Sequence, residues 1–274
     1  KQKTAYEISL GLVGSEMCIR DRLINIQFAI KDEELYMIEV NPRASRTIPF
    51  ISKAIGVPIA KIAAKVMSGR KLAELNFLDE INIDHYSVKE SVFPFIKFPD
   101  VDTILGPEMK STGEAMGIDS DLSAAFAKAQ ISSGNSLPNS GKAFVSVKDE
   151  DKAKILPLCK DLVALDFEIV STIGTHEFLK SNHIQSEVVK KVKEGSGNIV
   201  DLIKKSEIDI LINTTSTKKE ILESFSIRRT ALIKQVPYFT TIAGAVAAIN
   251  AIDYLKKGII SVKPLQEFAK ISKV

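Results

Sequence analysis

A chain of 274 residues with 45% hydrophobic, 26% charged and 7% aromatic residues has the composition of a globular protein with one large or two ordinary domains. A net charge of +3 with dispersed lysines argues against a nucleic-acid binder, and no apolar run approaches the roughly 20 residues that span a bilayer. Two cysteines, Cys18 and Cys159, make neither a disulfide framework nor a metal set, so a reducing, cytoplasmic setting is expected.

The first 22 residues, through Asp21 and Arg22, show no sustained helix or strand period. They resemble translated read-through of a sequencing adapter and are expected to be foreign to the fold. From Leu23 the pattern changes. Ile24, Ile26, Phe28 and Ile30 alternate along one strand, and Tyr36, Ile38 and Val40 along the next. A three-residue loop of Asp32, Glu33 and Glu34 that matches these apolar faces sets Gln27 opposite Glu39. Asn25, Gln27, Glu39 and Asn41 then share the other face, followed by Pro42, Arg43 and Arg46. Oxygen donors with one carboxylate suit a hard cation such as magnesium, and arginine forks suit carboxylate or phosphate. The plain alternative is a half-exposed hairpin with a polar outer face.

Pro49 and Pro58 stand near the starts of two helical patterns, the second ending at Gly69. Tyr86 to Phe95 mixes strand formers with Lys89 and Glu90, and Pro94, Pro99, Gly106 and Pro107 then break the chain. A strand over Met109–Ile118 and an alanine-rich helix over Leu122–Gln130 are expected, and the Ser/Gly/Asn-rich stretch 132–141 reads as a domain boundary.

Beyond it, strands at Ala143–Val147, Phe167–Ser171, Ile208–Asn213 and Tyr238–Thr241 alternate with helices at Asp151–Leu165, His176–Asn182, Ile199–Lys205, Arg228–Lys234 and Ala243–Lys257. The alternation predicts an α/β domain with a parallel sheet covered by helices on both faces. Ligands of such sheets bind outside the carboxyl ends of the strands. Two polar clusters fall there, Ser171–Thr175 as a Gly turn with hydroxyls and Asn213–Ser216. Backbone N–H groups and hydroxyls at a helix start donate to an anion, and Lys152 and Lys191 could add charge. The simpler roles are helix capping for the hydroxyls and solvated surface for the lysines. His85, His176 and His183 show no ligand spacing, and Cys159 reads as core.

Three motifs, Gln27 with Ile38–Arg46, Tyr86–Glu90 with Pro94–Phe98, and Gly106–Glu114, stand in collinear order with Ser171–Thr175, Asn213–Thr215 and Tyr238–Thr241. On these the chain from about Leu23 resembles the C-terminal part of the carbamoyl phosphate synthase large subunit. The resemblance implies the end of an ATP-grasp domain over residues 23–75, the remainder of the synthetase half and linker over 76–140, and a Rossmann-like, methylglyoxal-synthase-like allosteric domain over 141–274.

By the same resemblance, Gln27, Glu39 and Asn41 hold magnesium or manganese, Gln27 and Glu39 also meet ATP, and Arg43 and Arg46 steady the transferring phosphoryl. Lys152, Thr172, Thr175, Lys191, Asn213 and Thr215 receive nucleotide effectors such as UMP or IMP. Glu90 and Thr240 correspond to an activator site for ornithine, although Phe239 stands where the enterobacterial type has an aspartate. The implied parent is a ligase that makes carbamoyl phosphate from bicarbonate, glutamine-derived ammonia and ATP, for pyrimidine and arginine biosynthesis. Its implied partner is a small glutaminase subunit, with room for a homo-oligomer of that heterodimer. With the front of the ATP-grasp unit missing, the fragment is expected not to turn over. A stand-alone allosteric nucleotide-binding module is the first alternative. A methylglyoxal synthase, which would need aspartates beside the phosphate turn, is the second.

Overall fold

A computed structural model describes residues 22–98, 101–104, 112–258 and 260–268. The leader up to Asp21 with Cys18, Pro99, residues 106–111 of the third motif and the start of the strand expected from Met109 lie outside the described residues. Two compact units divide the chain, Lys1–His85 with Val262–Val274 and Tyr86–Ser261.

In the first unit, β1 (Asn25–Lys31) and β2 (Glu34–Asn41) pair antiparallel. The connection differs from the expected three-residue loop. Asp32 and Glu33 both take positive φ, 52° and 65°, as a two-residue hairpin turn requires. A bulge then follows, with Phe28 opposite Met37 but Gln27 opposite Glu39, so Ile38 is the extra residue. One residue fewer in the loop and one more in the strand cancel. Gln27 therefore meets Glu39 as expected, by a different route. The bulge turns Tyr36 to the Gln27–Ala29 face, and Met37 and Leu35 replace Ile38 and Tyr36 opposite Phe28 and Ile30.

Two helices follow, α1 (Thr47–Ile55), closed by Gly56 at φ 71°, and α2 (Ile59–Met67), opened by Pro58. They pack around Val57, Ile62 and Leu75. His85 is a satisfied core histidine here: Nε2 lies 2.9 Å from the Ala54 carbonyl, and its ring meets Phe268 edge-on at 5.7 Å.

The second unit opens with β3 (Tyr86–Val92) and β4 (Gly113–Asp119), an antiparallel pair, and α3 (Leu122–Ser132). Asp121 caps α3 by accepting the Ala124 N–H at 2.9 Å. The alanine content of α3 has a cause in Gly117. A Cβ there would stand 1.9 Å from the Ala125 carbonyl oxygen, so strand and helix backbones touch.

The Ser/Gly stretch 132–141 joins α3 to β5 (Gly141–Ser146) inside this same unit. Then come α4 (Lys152–Ala164), β6 (Phe167–Ser171), α5 (Ile173–Ser181), β7 (Glu187–Val188), α6 (Ile199–Lys204) and β8 (Ile210–Asn213). The described residues continue with α7 (Lys218–Glu223), α8 (Phe225–Lys234), β9 (Tyr238–Phe239), α9 (Ile242–Lys257) and α10 (Leu265–Phe268), the last belonging to the first unit. Strands β5 to β9 form a parallel sheet in the order β7-β6-β5-β8-β9.

Alternate residues of the central strands feed two cores. Ala143, Val145, Ile210 and Ile212 face α4 and α9, while Phe144, Val170 and Leu211 face α6 and α8. The expected parallel sheet with helices on both faces is thus present. The short edge strand β7 and helix α7 are additions that two and six residues are too few to signal by periodicity.

Candidate functional site

Chain order runs outward from β5 through β6 to β7, then returns to β8 on the other side of β5. That reversal splays the loops beyond the carboxyl ends of β5, β6 and β8 and leaves a crevice there. The crevice is a cavity of about 510 Å³. All six residues that the sequence assigns to a nucleotide effector line it: Lys152, Thr172, Thr175, Lys191, Asn213 and Thr215.

The local folding of each wall follows from hydrogen bonds. Thr172 stands at the N-cap of α5 in extended backbone (ψ 155°), and its Oγ1 lies 3.1 Å from Ser146 Oγ across the strand exits. The Thr175 N–H donates to the Thr172 carbonyl at 2.9 Å, and Thr175 Oγ1 accepts the Val147 N–H at 3.4 Å. Thr214 Oγ1 accepts the Lys148 N–H at 3.1 Å, tying the β8 exit to the β5 exit. The expected Gly turn is replaced by a helix start. α5 begins at Ile173, three residues before the expected His176, so Gly174 lies in its first turn. The first N–H groups of that helix, at Ile173 and Gly174, have no carbonyl within the helix to bind and present a partial positive charge.

Cations surround this helix start. Lys152 Nζ lies 3.9 Å from where a Cβ on Gly174 would be, and it pairs with Asp149 at 2.7 Å. Lys148 pairs with Glu150 at 2.9 Å, which raises its pKa above the ordinary lysine value. On the far wall Lys193 pairs with Glu223 at 2.7 Å, and Glu220 caps α7 by accepting the Ser216 N–H at 2.7 Å. Those two N–H groups, from Ser216 and Thr217, are the main reason the Glu220 carboxyl stays below its usual range. The arrangement offers ammonium, hydroxyl and backbone donors around the α5 start, with carboxylates paired to lysines on both walls. A phosphate ester with a hydroxylated tail suits this mixture of donors and acceptors. The sequence pattern does not single out Ser146, Lys148, Glu220 or Glu223. Ser146 carries the same signal as Ser171 and Asn213, a small polar residue at a strand exit.

In the first unit Gln27 and Glu39 are cross-strand partners, and Asn41, two residues on, shares their face. Asn41 Nδ2 donates to Glu39 Oε1. The Arg43 N–H turns back to the Asn41 carbonyl at 2.8 Å, and Arg46 stands in helical backbone (φ −60°) immediately before α1. Gln27, Glu39 and Arg43 are exposed and Asn41 half-buried. One carboxylate and two amide oxygens on one face are a donor set that fits a hard divalent cation. Among the described residues no group of three His, Cys, Asp or Glu side chains could hold a metal ion, so any such site here depends on the amides.

Glu90 lies on β3 opposite Ala115, and burial pushes its carboxyl up while a hydrogen bond with Gln130 works against that shift. Thr240 is exposed between β9 and α9, and Phe239 packs against the core of α4 and α9. His176 lies on the cavity helix α5 but turns to Ser186, with Nδ1 2.9 Å from its Oγ. Cys159 is fully buried, and burial pushes its thiol up to about 12. Asp209 and Asp166 sit at the amino ends of β8 and β6, opposite the cavity. Asp209 Oδ2 accepts the Lys142 N–H at 2.7 Å, and Asp166 pairs with Lys256 at 2.8 Å. Neither can serve as the phosphate-side acid or base of a methylglyoxal synthase.

Residues 154–240, in the second unit, match the family described as the MGS-like domain, and residues 17–75 match the carbamoyl-phosphate synthase L chain ATP binding domain. The chain is 51% identical over 271 residues to the carbamoyl phosphate synthase large chain of Myxococcus xanthus, covering 99% of this chain and 24% of that one. It is 50% identical over 251 residues to that of Mesorhizobium japonicum and 49% over 247 residues to that of Archaeoglobus fulgidus, each covering 90% of this chain and 22% and 23% of the relative. The ATP-binding match and the M. xanthus match both reach into the first 22 residues, which the sequence pattern alone treats as foreign. The chain spans about a quarter of the length of these relatives, and within that span it belongs to the carbamoyl phosphate synthase large-chain family.

Proposed function

We propose that the cavity at the strand ends of the second unit receives the phosphate and sugar of a nucleotide effector such as UMP or IMP. The observation that supports this most is convergence. Six residues drawn from four separate stretches of sequence line one crevice at a sheet reversal. Phosphate would take the α5 N–H groups with Thr172, Thr175 and Lys152, and Asn213, Thr215 and Lys191 would meet the sugar.

The chain is, on this reading, the C-terminal part of a cytoplasmic, glutamine-dependent ligase that makes carbamoyl phosphate from bicarbonate, ammonia and ATP for pyrimidine and arginine biosynthesis. A small glutaminase subunit would supply the ammonia. Gln27, Glu39 and Asn41 would hold magnesium or manganese, which when bound neutralises the ATP phosphates. Arg43 and Arg46 would orient the phosphoryl group and stabilise its charge. Glu90 and Thr240 remain the candidates for an amine activator of the ornithine kind.

Calorimetric titration of the chain with UMP and with IMP tests the effector site. Saturable heat with either nucleotide is expected, weakened at least tenfold by Thr175→Val, as loss of a charge-assisted hydrogen bond implies. No heat with either would refute the reading. For the catalytic half, Glu39→Gln in the full-length parent should abolish carbamoyl phosphate formation. Unchanged turnover would remove the metal assignment.

A further inference from the structure

Arg228 is the largest fully buried side chain of the second unit, 2% exposed, and it lies on α8 immediately after the cavity residue Ile227. Its Nε donates to Asp102 Oδ1 at 2.8 Å, and Nη2 donates both to Asp102 Oδ2 and to the Ile221 carbonyl of α7 at 2.8 Å. Ser224, which also lines the cavity, ends α7 and starts α8, and the Arg228 N–H donates to its carbonyl at 3.1 Å. One guanidinium thus joins both helices of the cavity's far wall to a carboxylate from the segment between β3 and β4.

Two further bonds hold that connection, one to β9 and one to α8. Thr103 Oγ1 lies 2.7 Å from Tyr238 Oη, and Arg229 Nη1 donates to the Phe95 carbonyl at 3.1 Å. Arg228 is too deeply buried to be hydrated in place, so losing Asp102 leaves an unpaired charge. The guanidinium must then move, and with it the Ile221 carbonyl and the α7–α8 junction. The same guanidinium is thus bonded both to the cavity wall and to the 101–104 segment.

We infer that the Arg228–Asp102 pair makes effector binding and immobilisation of the 101–104 segment a single linked equilibrium, with Arg228 and Asp102 as positioning residues for the cavity. The inference rests on the proposed nucleotide site and adds a route by which its occupancy is felt between β3 and β4. Linkage is reciprocal: whatever a ligand gains from an ordered wall, the segment gains from the ligand.

The test pairs calorimetry with amide hydrogen exchange on the full chain, using UMP and IMP as probes. In the unaltered chain, saturating nucleotide should slow exchange at residues 101–104 several-fold. Asp102→Asn should weaken nucleotide binding about five- to tenfold and erase that protection, a range typical of coupled sites. A merely structural pair would lower the melting temperature yet leave both the affinity and the ligand-induced protection unchanged, and that result overturns the inference. If Asp102→Asn fails to fold, Thr103→Val, which spares the buried charge, decides by the same two readouts. Failure of the unaltered chain to bind either nucleotide would overturn the nucleotide reading and this inference together. Normal binding with indifferent variants would overturn this inference alone.

Discussion

Asp209 and Gly141 stand side by side where β8 and β5 begin, so closely that a Cβ on Gly141 would lie 2.0 Å from Asp209 Oδ2. The same oxygen accepts the Lys142 N–H at 2.7 Å, and Gly141 has φ +125°, where other residues are strained. Gly141→Ala should therefore destabilise the second unit by roughly 3 kcal/mol, combining strain and steric conflict. Urea denaturation followed by circular dichroism measures it; an unmoved midpoint would contradict the geometry.

Gly174 is the opposite case. A Cβ there meets only Lys152 Nζ, at an ordinary 3.9 Å, and the residue lies in the first turn of α5. Gly174→Ala should stabilise the fold by about 0.5–1 kcal/mol, because alanine loses less backbone entropy in a helix. It should also weaken nucleotide binding several-fold, since a methyl group then shields the helix start. Thermal melts and calorimetry read the two effects separately. A gain in both stability and affinity would place the anion elsewhere.

Lys128 reaches from α3 to Asp119 at the end of β4, at 2.6 Å, with both side chains largely buried. Burial pushes the Asp119 carboxyl up, but hydrogen bonds from Lys128 and the Asp121 N–H, with the lysine charge, outweigh it and hold the pKa below the usual range. The folded value is thus lower than the unfolded one, about 3.9. The resulting stability is present above that unfolded value and is lost as pH falls through the folded one. Asp119→Asn should cost about 2 kcal/mol near neutral pH and flatten the pH dependence below about pH 4. Parallel stability–pH curves for both proteins would count against the pair.

Cys159, at the heart of the α4 core with a thiol raised to about 12, should not react with a disulfide reagent around pH 8 while the sheet is folded. In a Cys18→Ser chain, labelling should follow the unfolding transition in urea. Prompt labelling in the native state would mean that the α4 face opens on its own.

The second unit was the more legible half. Apolar runs such as Ile210–Ile212 lie in strands buried on both faces, so hydrophobic runs bounded by turns marked β5, β6 and β8 to within two residues. The start of α5 was misplaced because Thr172, Gly174 and Thr175 look like turn residues, while the buried Thr175 hydroxyl is used by Val147. The hairpin register was read correctly at Gln27 and Glu39 although its loop was not. Alternation fixes the face of a residue and says nothing of where an extra one is inserted. The stretch 132–141 has a linker's composition yet joins parts of one compact unit, because α3 packs on α9 as well as on the β3–β4 pair.

Local pattern by itself determined which stretches are strands and helices, which faces are apolar, and that small polar residues stand at strand exits. These depend on neighbours within a few positions, where periodicity acts. Tertiary structure alone decided that the exits of β5, β6 and β8 open on one cavity, since strand order follows from which core faces match. It also decided that Asp102 meets Arg228 across more than a hundred residues. A buried charge takes whatever carboxylate the fold brings to it, and no spacing in the sequence records which one that is.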